Sequence, residues 1–187
     1  MNFFQYNKSG VNYIFISCML FYHLKRLITC IGLSLLSGLA TAGYTHNAYT
    51  LTLAILSYTK WDSQKPLLCV LENHDIASIF QEEIEYKKTS FNVTSISERD
   101  LNNHKCDAIF FSPNISIIQQ NNIIKNNFRP FILSFTENNL ECEGQVIFCL
   151  YKRKDQYTFN VNLDALARSK LHIDPRVLLL AKNMEGI

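Results

Sequence analysis

The chain has 187 residues, 48% hydrophobic and 18% charged, which suits one domain with an appendage and is too apolar for a largely disordered chain. Its formal charge of +2 belongs to the front: residues 1–42 hold Lys8, Lys25 and Arg26 and no acid, leaving 15 basic against 16 acidic residues beyond them. That balance excludes a dense Lys/Arg stripe for nucleic acid and a charged solvating tail.

The chain opens with a targeting pattern. Leu24-Lys25-Arg26 is a basic start, residues 27–39 are apolar and uncharged, and Ala40-Thr41-Ala42 places small residues at a cleavage site. This order reads as a Sec-type secretory signal cut after Ala42. The apolar run has 13 residues, and a spanning helix needs about 20, so a leader fits better than an anchor. A leader opening at Met19 has ordinary length, so Met1 and Met19 both stand as starts. The expected organisation is an extension and leader over 1–42 and one domain over 43–187.

Residues 47–58 are apolar at Tyr49, Leu51, Leu53, Ala54, Leu56 and Tyr58 and read as a buried first helix. Residues 67–71 form a short apolar strand after Pro66. Asp75 is placed to cap a helix through Glu85, with Ile76, Ile79, Phe80 and Ile84 on one face. Glu82, Glu83 and Glu85 read as its solvated side. Phe91, Val93 and Ser95 alternate as a strand. Residues 107–112 are a strand closed by Pro113, 115–126 a polar-faced helix, and 130–135 another strand. Residues 145–151 and 157–162 make a hairpin around the charged turn 152–156. Residues 163–170 and 175–183 are two closing helices, with Asn162 or Asp164 capping the first and Asp174-Pro175 opening the second. Alternating strands and helices with continuously apolar strands imply a parallel core sheet covered on both faces. The expected fold is a compact, Rossmann-like, three-layer α/β domain with a mixed β-sheet, a late β-hairpin adding antiparallel edge strands, and two C-terminal helices. The turn after the first strand, Glu72-Asn73-His74-Asp75, lacks the glycines a pyrophosphate needs.

Export changes the meaning of cysteine. Cys18 and Cys30 leave with the leader, and Cys69, Cys106, Cys142 and Cys149 remain. Four cysteines in an oxidising compartment read as two disulfides, with three possible pairings. Glu143-Gly144-Gln145 looks like a turn between Cys142 and Cys149, which makes a local bridge natural and leaves Cys69 with Cys106. Four reduced core cysteines are the alternative. Neither spacing suits a redox-active motif, and His46, His74, His104 and His172 carry no metal spacing; no cofactor or metal is expected.

No catalytic set emerges. Ser57 and Ser112 lack a nucleophile-elbow context. Tyr58-Thr59-Lys60-Trp61 ends the first helix with two amphipathic aromatics beside a cation, side chains that anchor interfaces or stack on ligands, or that simply pack a helix end on the sheet. Arg168, His172 and Arg176 fall near the joint of the last two helices, where they can hold an anionic group or a partner carboxylate.

The block FNVNLDALARS at 159–169, followed by LHIDPRVLLLA at 171–181, resembles the C-terminal signature of the YfiR family, in its enterobacterial form. The first helix running into Ser57-Tyr58-Thr59-Lys60-Trp61 and the four cysteines resemble it too. The likeness covers nearly all of 45–185. The resemblance implies a non-enzymatic periplasmic repressor, usually a homodimer, that holds the inner-membrane diguanylate cyclase YfiN inactive. It further implies a YfiB-like outer-membrane lipoprotein that sequesters the repressor and releases the cyclase, so that cyclic di-GMP rises, with more biofilm and less motility. It also implies disulfides Cys69–Cys106 and Cys142–Cys149 whose loss under reducing stress unfolds the protein. Two positions depart from the family: Asp62 stands where proline is usual, and Lys170 where glycine is usual. The competing readings are a periplasmic small-ligand-binding module, favoured by an apolar pocket with an aromatic wall, and a secreted thiol oxidoreductase, which needs an exposed cysteine.

Overall fold

The computed structural model describes residues 47–127 and 132–180. The leader, its cleavage position and both candidate starts lie outside the described residues, as do Pro130, Phe131 and the last three residues, 181–183, of the last predicted helix.

Helix α1 is Ala48–Ser57, capped by Asn47, whose side chain accepts from the Thr50 amide. It is buried nearly all round, which matches its lack of charge. Strand β1, Leu67–Leu71, follows, and then α2, His74–Lys87. Asn73 rather than Asp75 caps α2, accepting from the Ile76 amide at 2.9 Å. The buried face of α2 is Ile76, Ala77, Phe80 and Ile84, while Ile79 is exposed. Glu83 is not merely solvated: it accepts from the Thr50 hydroxyl at 3.0 Å and so ties α2 to α1. Strand β2 is Asn92–Ile96, followed by a single 3-10 turn at Glu98–Asp100. Strand β3 is Ala108–Phe111, α3 is Ile117–Asn126 and β4 is Leu133–Thr136. Strands β5, Phe148–Arg153, and β6, Gln156–Val161, then precede α4, Leu163–Ser169, capped by Asn162. Helical backbone resumes at Val177.

The six strands form one sheet in the order β2-β1-β3-β4-β5-β6. Pairs from β2 to β5 are parallel, and β6 is antiparallel to β5. Only β6 is therefore antiparallel, whereas the hairpin was expected to add two such strands. Its turn is also tighter than the expected five residues, because Arg153 pairs with Gln156 and Lys154 takes a left-handed φ of 54°. The crossover from β4 to β5 carries no helix.

Alternation along the strands sorts side chains to two faces. Leu68, Val70, Ala108, Phe110, Leu133, Phe135, Phe148, Leu150 and Phe159 pack with α1 and α2. Aromatic rings bridge these layers edge-on, Tyr49 to Phe80 and Phe80 to Phe110, with centroids 5.1 Å apart in both pairs. The opposite face carries Cys69, Leu71, Ile109, Phe111 and Cys149, covered by Ile123 of α3 and by Leu101, Ile115, Cys106, Cys142 and Val146 from loops. Helix-covered faces on both sides of a mostly parallel sheet confirm the three-layer α/β expectation.

Candidate interaction site

The sheet's strand order reverses between β1 and β3, where open α/β sheets usually bind ligands at their carboxyl ends. Here that crevice is spent on its own chain. The Ser112 hydroxyl donates to the Leu71 carbonyl. Glu72, in a left-handed conformation at φ 56°, accepts from the Glu98 amide at 2.8 Å. The Ile76 amide in the first turn of α2 donates to the Asn73 side chain.

A second locus forms where α1 ends. Tyr58 caps α1, and the chain leaving it is zipped to the chain leaving α4. Thr59 and Ile173 form an antiparallel bridge. The Lys60 amide donates to His172 O at 2.9 Å, and the Asp174 amide to Tyr58 O at 2.8 Å. This zipper brings four of the five predicted contact residues together. Tyr58, His172 and Arg176 line one open depression, and Trp61 and His172 line a neighbouring one with Lys60, Asp62 and Lys170. Arg168 lies elsewhere: its Nη2 donates to Gln145 Oε1 at 3.3 Å.

Each member has a structural duty. Trp61 packs half-buried against the core, and its Nε1 donates to Leu56 O at 2.9 Å, satisfying one of the open carbonyls at the end of α1. Arg176 grips Asp174, with Nη2 to Oδ2 at 2.6 Å, and Asp174 Oδ1 also accepts from the Arg176 amide at 2.9 Å. These bonds hold the Asp174 carboxyl down to about 2. The Arg176 charge is thus already met, which weakens it as an anion holder; the pair lies at the surface, where solvent screens it. What remains open to a partner is the Tyr58 and Trp61 ring surface and the His172 imidazole.

The two disulfides join Cys69 to Cys106 and Cys142 to Cys149, with Cα separations of 5.8 and 5.4 Å. This is the pairing that the short turn favoured. All four cysteines are at most 7% exposed and share one apolar cluster, so no described sulfur offers the accessible thiolate a thiol oxidoreductase requires. The loop closed by Cys142 and Cys149 is held by side chains from several elements. Asn139 accepts from the Glu143 amide at 3.2 Å and donates to its carbonyl at 2.7 Å. Asn121 accepts from the Gln145 amide at 2.8 Å, and Ser134 from the Ile147 amide at 3.0 Å.

Beneath α3, Leu101, Ile109, Ile123, Ile124, Ile132 and Ile147 wall a cavity of about 30 Å³ with Arg168 at its rim. A water molecule fits it. Asn127, Ser134, Gln145 and Ser169 share the lining with the aliphatic side chains, and no aromatic ring takes part, so it lacks the aromatic wall that a small-ligand module was expected to show.

One group escaped the sequence reading. Glu137, just beyond β4, is half-buried, and desolvation raises its carboxyl above the usual range although the Tyr157 hydroxyl hydrogen-bonds it. The Tyr157 and Tyr49 hydroxyls are raised too, by burial first and by the Glu137 charge second. A lone Glu after an apolar strand carries no signal of this, because the tyrosines it interacts with, Tyr49 and Tyr157, lie on other elements of the chain.

Among the described residues, no cluster of three or more His, Cys, Asp or Glu is placed to hold a metal, and no helix is long and apolar enough to cross a membrane. The model of the YfiR/HmsC-like family matches residues 47–182. That stretch contains the whole sheet, both disulfides and the zipper between α1 and the chain after α4. A match of this extent settles the relationship: the chain belongs to the YfiR/HmsC-like family, a regulatory rather than a catalytic one.

Proposed function

We propose that the protein is a periplasmic repressor that works by protein–protein contact. It binds the periplasmic domain of a YfiN-like inner-membrane diguanylate cyclase and holds it inactive. A YfiB-like outer-membrane lipoprotein sequesters it, and it acts as a homodimer. Cleavage after Ala42 delivers the 43–187 domain. The family match over 47–182 carries this reading. Two buried disulfides support it, since such bridges persist in oxidising compartments. The contact surface is the zipper region, with Tyr58 and Trp61 as aromatic anchors and His172 beside them.

The test is a pull-down of the exported protein, oxidised and reduced, against the periplasmic domain of the host's YfiN-like cyclase, with cyclic di-GMP measured in a deletion strain. Binding of the oxidised form together with raised cyclic di-GMP on deletion is the expected result. Binding in both redox states keeps the repressor and removes the redox control. No binding in either state, with cyclic di-GMP unchanged by deletion, overturns the proposal.

A further inference from the structure

Helix α4 is docked at both ends on the loop that Cys142–Cys149 closes. At its start, every polar group of Asn162 is engaged. The Asn162 amide donates to Ile147 O at 2.8 Å. Nδ2 donates to the carbonyls of Cys142 and Gly144, at 3.1 Å each. Oδ1 accepts from the Ala165 amide at 2.9 Å, and the Asn162 carbonyl accepts from Leu166 at 2.9 Å. Near the other end, Arg168 reaches Gln145 of the same loop. One residue thus binds three members of the disulfide loop and caps the helix.

The loop does not hold this shape by local preference. Gly144, at φ 91°, takes its conformation freely, but Cys142 sits at φ 54°, and a left-handed conformation is unfavourable for a residue with a Cβ. The crossover that carries the loop has no helix. Besides the bridge, side-chain bonds from Asn121, Ser134 and Asn139 hold the loop, and none of these reaches the Cys142 carbonyl.

We propose that the order of α4 is conditional on the Cys142–Cys149 bridge, with Asn162 as the positioning residue that couples them. While the bridge closes the loop, the carbonyls of Cys142 and Gly144 stay aimed at Nδ2. A small dithiol breaks the S–S bond by supplying two electrons and two protons. Each sulfur becomes a thiol, and the dithiol closes to its own disulfide. Cys142 then leaves its left-handed conformation, both carbonyls swing away, and the cap on α4 loosens. Cys69–Cys106 lies three strands from β5 in the sheet and has no such link. Since α4 leads directly into His172 and Arg176, the coupling conveys the bridge's state to the proposed contact surface. That use rests on the proposed function, whereas the coupling itself does not.

Amide hydrogen exchange of the exported, oxidised protein tests it, read at the α4 amides and at α1 and α2 as internal references. Cys142→Ala/Cys149→Ala is expected to speed α4 exchange about tenfold relative to those references, and Cys69→Ala/Cys106→Ala to leave that ratio unchanged. Asn162→Asp keeps the capping oxygen and removes both donors. In that background, opening the short bridge should add less than it does alone. An unchanged α4 ratio on opening the short bridge, or full additivity with Asn162→Asp, overturns the proposal. If the double alanine variant fails to fold, Asn162→Asp in the disulfide-intact protein decides: α4 exchange equal to wild type overturns it. The pull-down above fails or succeeds independently of these readings.

Discussion

Removing the two disulfides separately gives a comparison in which most terms cancel. Each bridge joins one fully buried cysteine to one that is 7% exposed, and all four sulfurs lie in the same apolar cluster. Replacing either pair by alanine therefore removes a similar amount of buried sulfur. What differs is the loop that each bridge closes, with sequence separations of 37 and 7 residues. Loop-closure entropy then gives about 4 kcal/mol for Cys69–Cys106 and about 2.4 kcal/mol for Cys142–Cys149. The difference, about 1.5 kcal/mol, is roughly tenfold in the folding equilibrium constant. Urea unfolding of Cys69→Ala/Cys106→Ala, Cys142→Ala/Cys149→Ala and the wild type, all oxidised, reads it directly, since stability falls linearly with denaturant. The expected order is wild type, then the short-bridge variant, then the long-bridge variant. If the short-bridge variant also frays α4 in its native state, its m-value falls, because less surface is left to expose. An inverted order with unchanged m-values would refute the entropic account.

Three further outcomes follow from backbone and charge. Lys170 caps α4 at φ 55° in the left-handed region, so Lys170→Gly should raise stability by up to about 1 kcal/mol, a melting-temperature rise of about 3 °C; no rise would mean that the loop relaxes in other ways. Gly144 sits at φ 91°, and a Cβ there would come within 2.8 Å of the Asn121 side-chain carbon. Gly144→Ala should therefore cost about 2 kcal/mol by thermal melting, and Asn121→Ala in the same chain should recover part of it. Glu137 has its folded pKa raised above the unfolded value. Its favourable contribution is then fully present below about pH 4.5 and is lost as pH rises through the folded pKa. Glu137→Gln should flatten the stability–pH curve above pH 4.5 and be relatively more stable at neutral pH, and a parallel pair of curves would show that Glu137 is solvated.

Much of this protein was legible in the sequence because the signals were local. The run at 67–71 became β1 to the residue. The pair Asn162 and Asp164 and the apolar spacing of 47–58 marked their helices, because capping and periodicity act within one turn, although only the structure chose Asn162 as the cap. The Cys142–Cys149 bridge followed from a turn of three residues between them. The alternation of elements fixed an α/β class, since apolar strands need cover on both faces. Other features depended on partners distant in the chain. That β5 lies parallel to β4 follows from the crossover between them and not from either strand's composition. Asp75 and Asn73 are both able caps, and only the path of the turn chose Asn73. Tyr58, Trp61, His172 and Arg176 meet because backbone bonds link Lys60 to His172 and Asp174 to Tyr58 across more than a hundred residues, while the same fold carries Arg168 to the disulfide loop. Desolvation of Glu137 and the double duty of Asn162 likewise belong to neighbours that only the tertiary structure supplies, for burial and long-range hydrogen bonds have no period in the sequence to announce them.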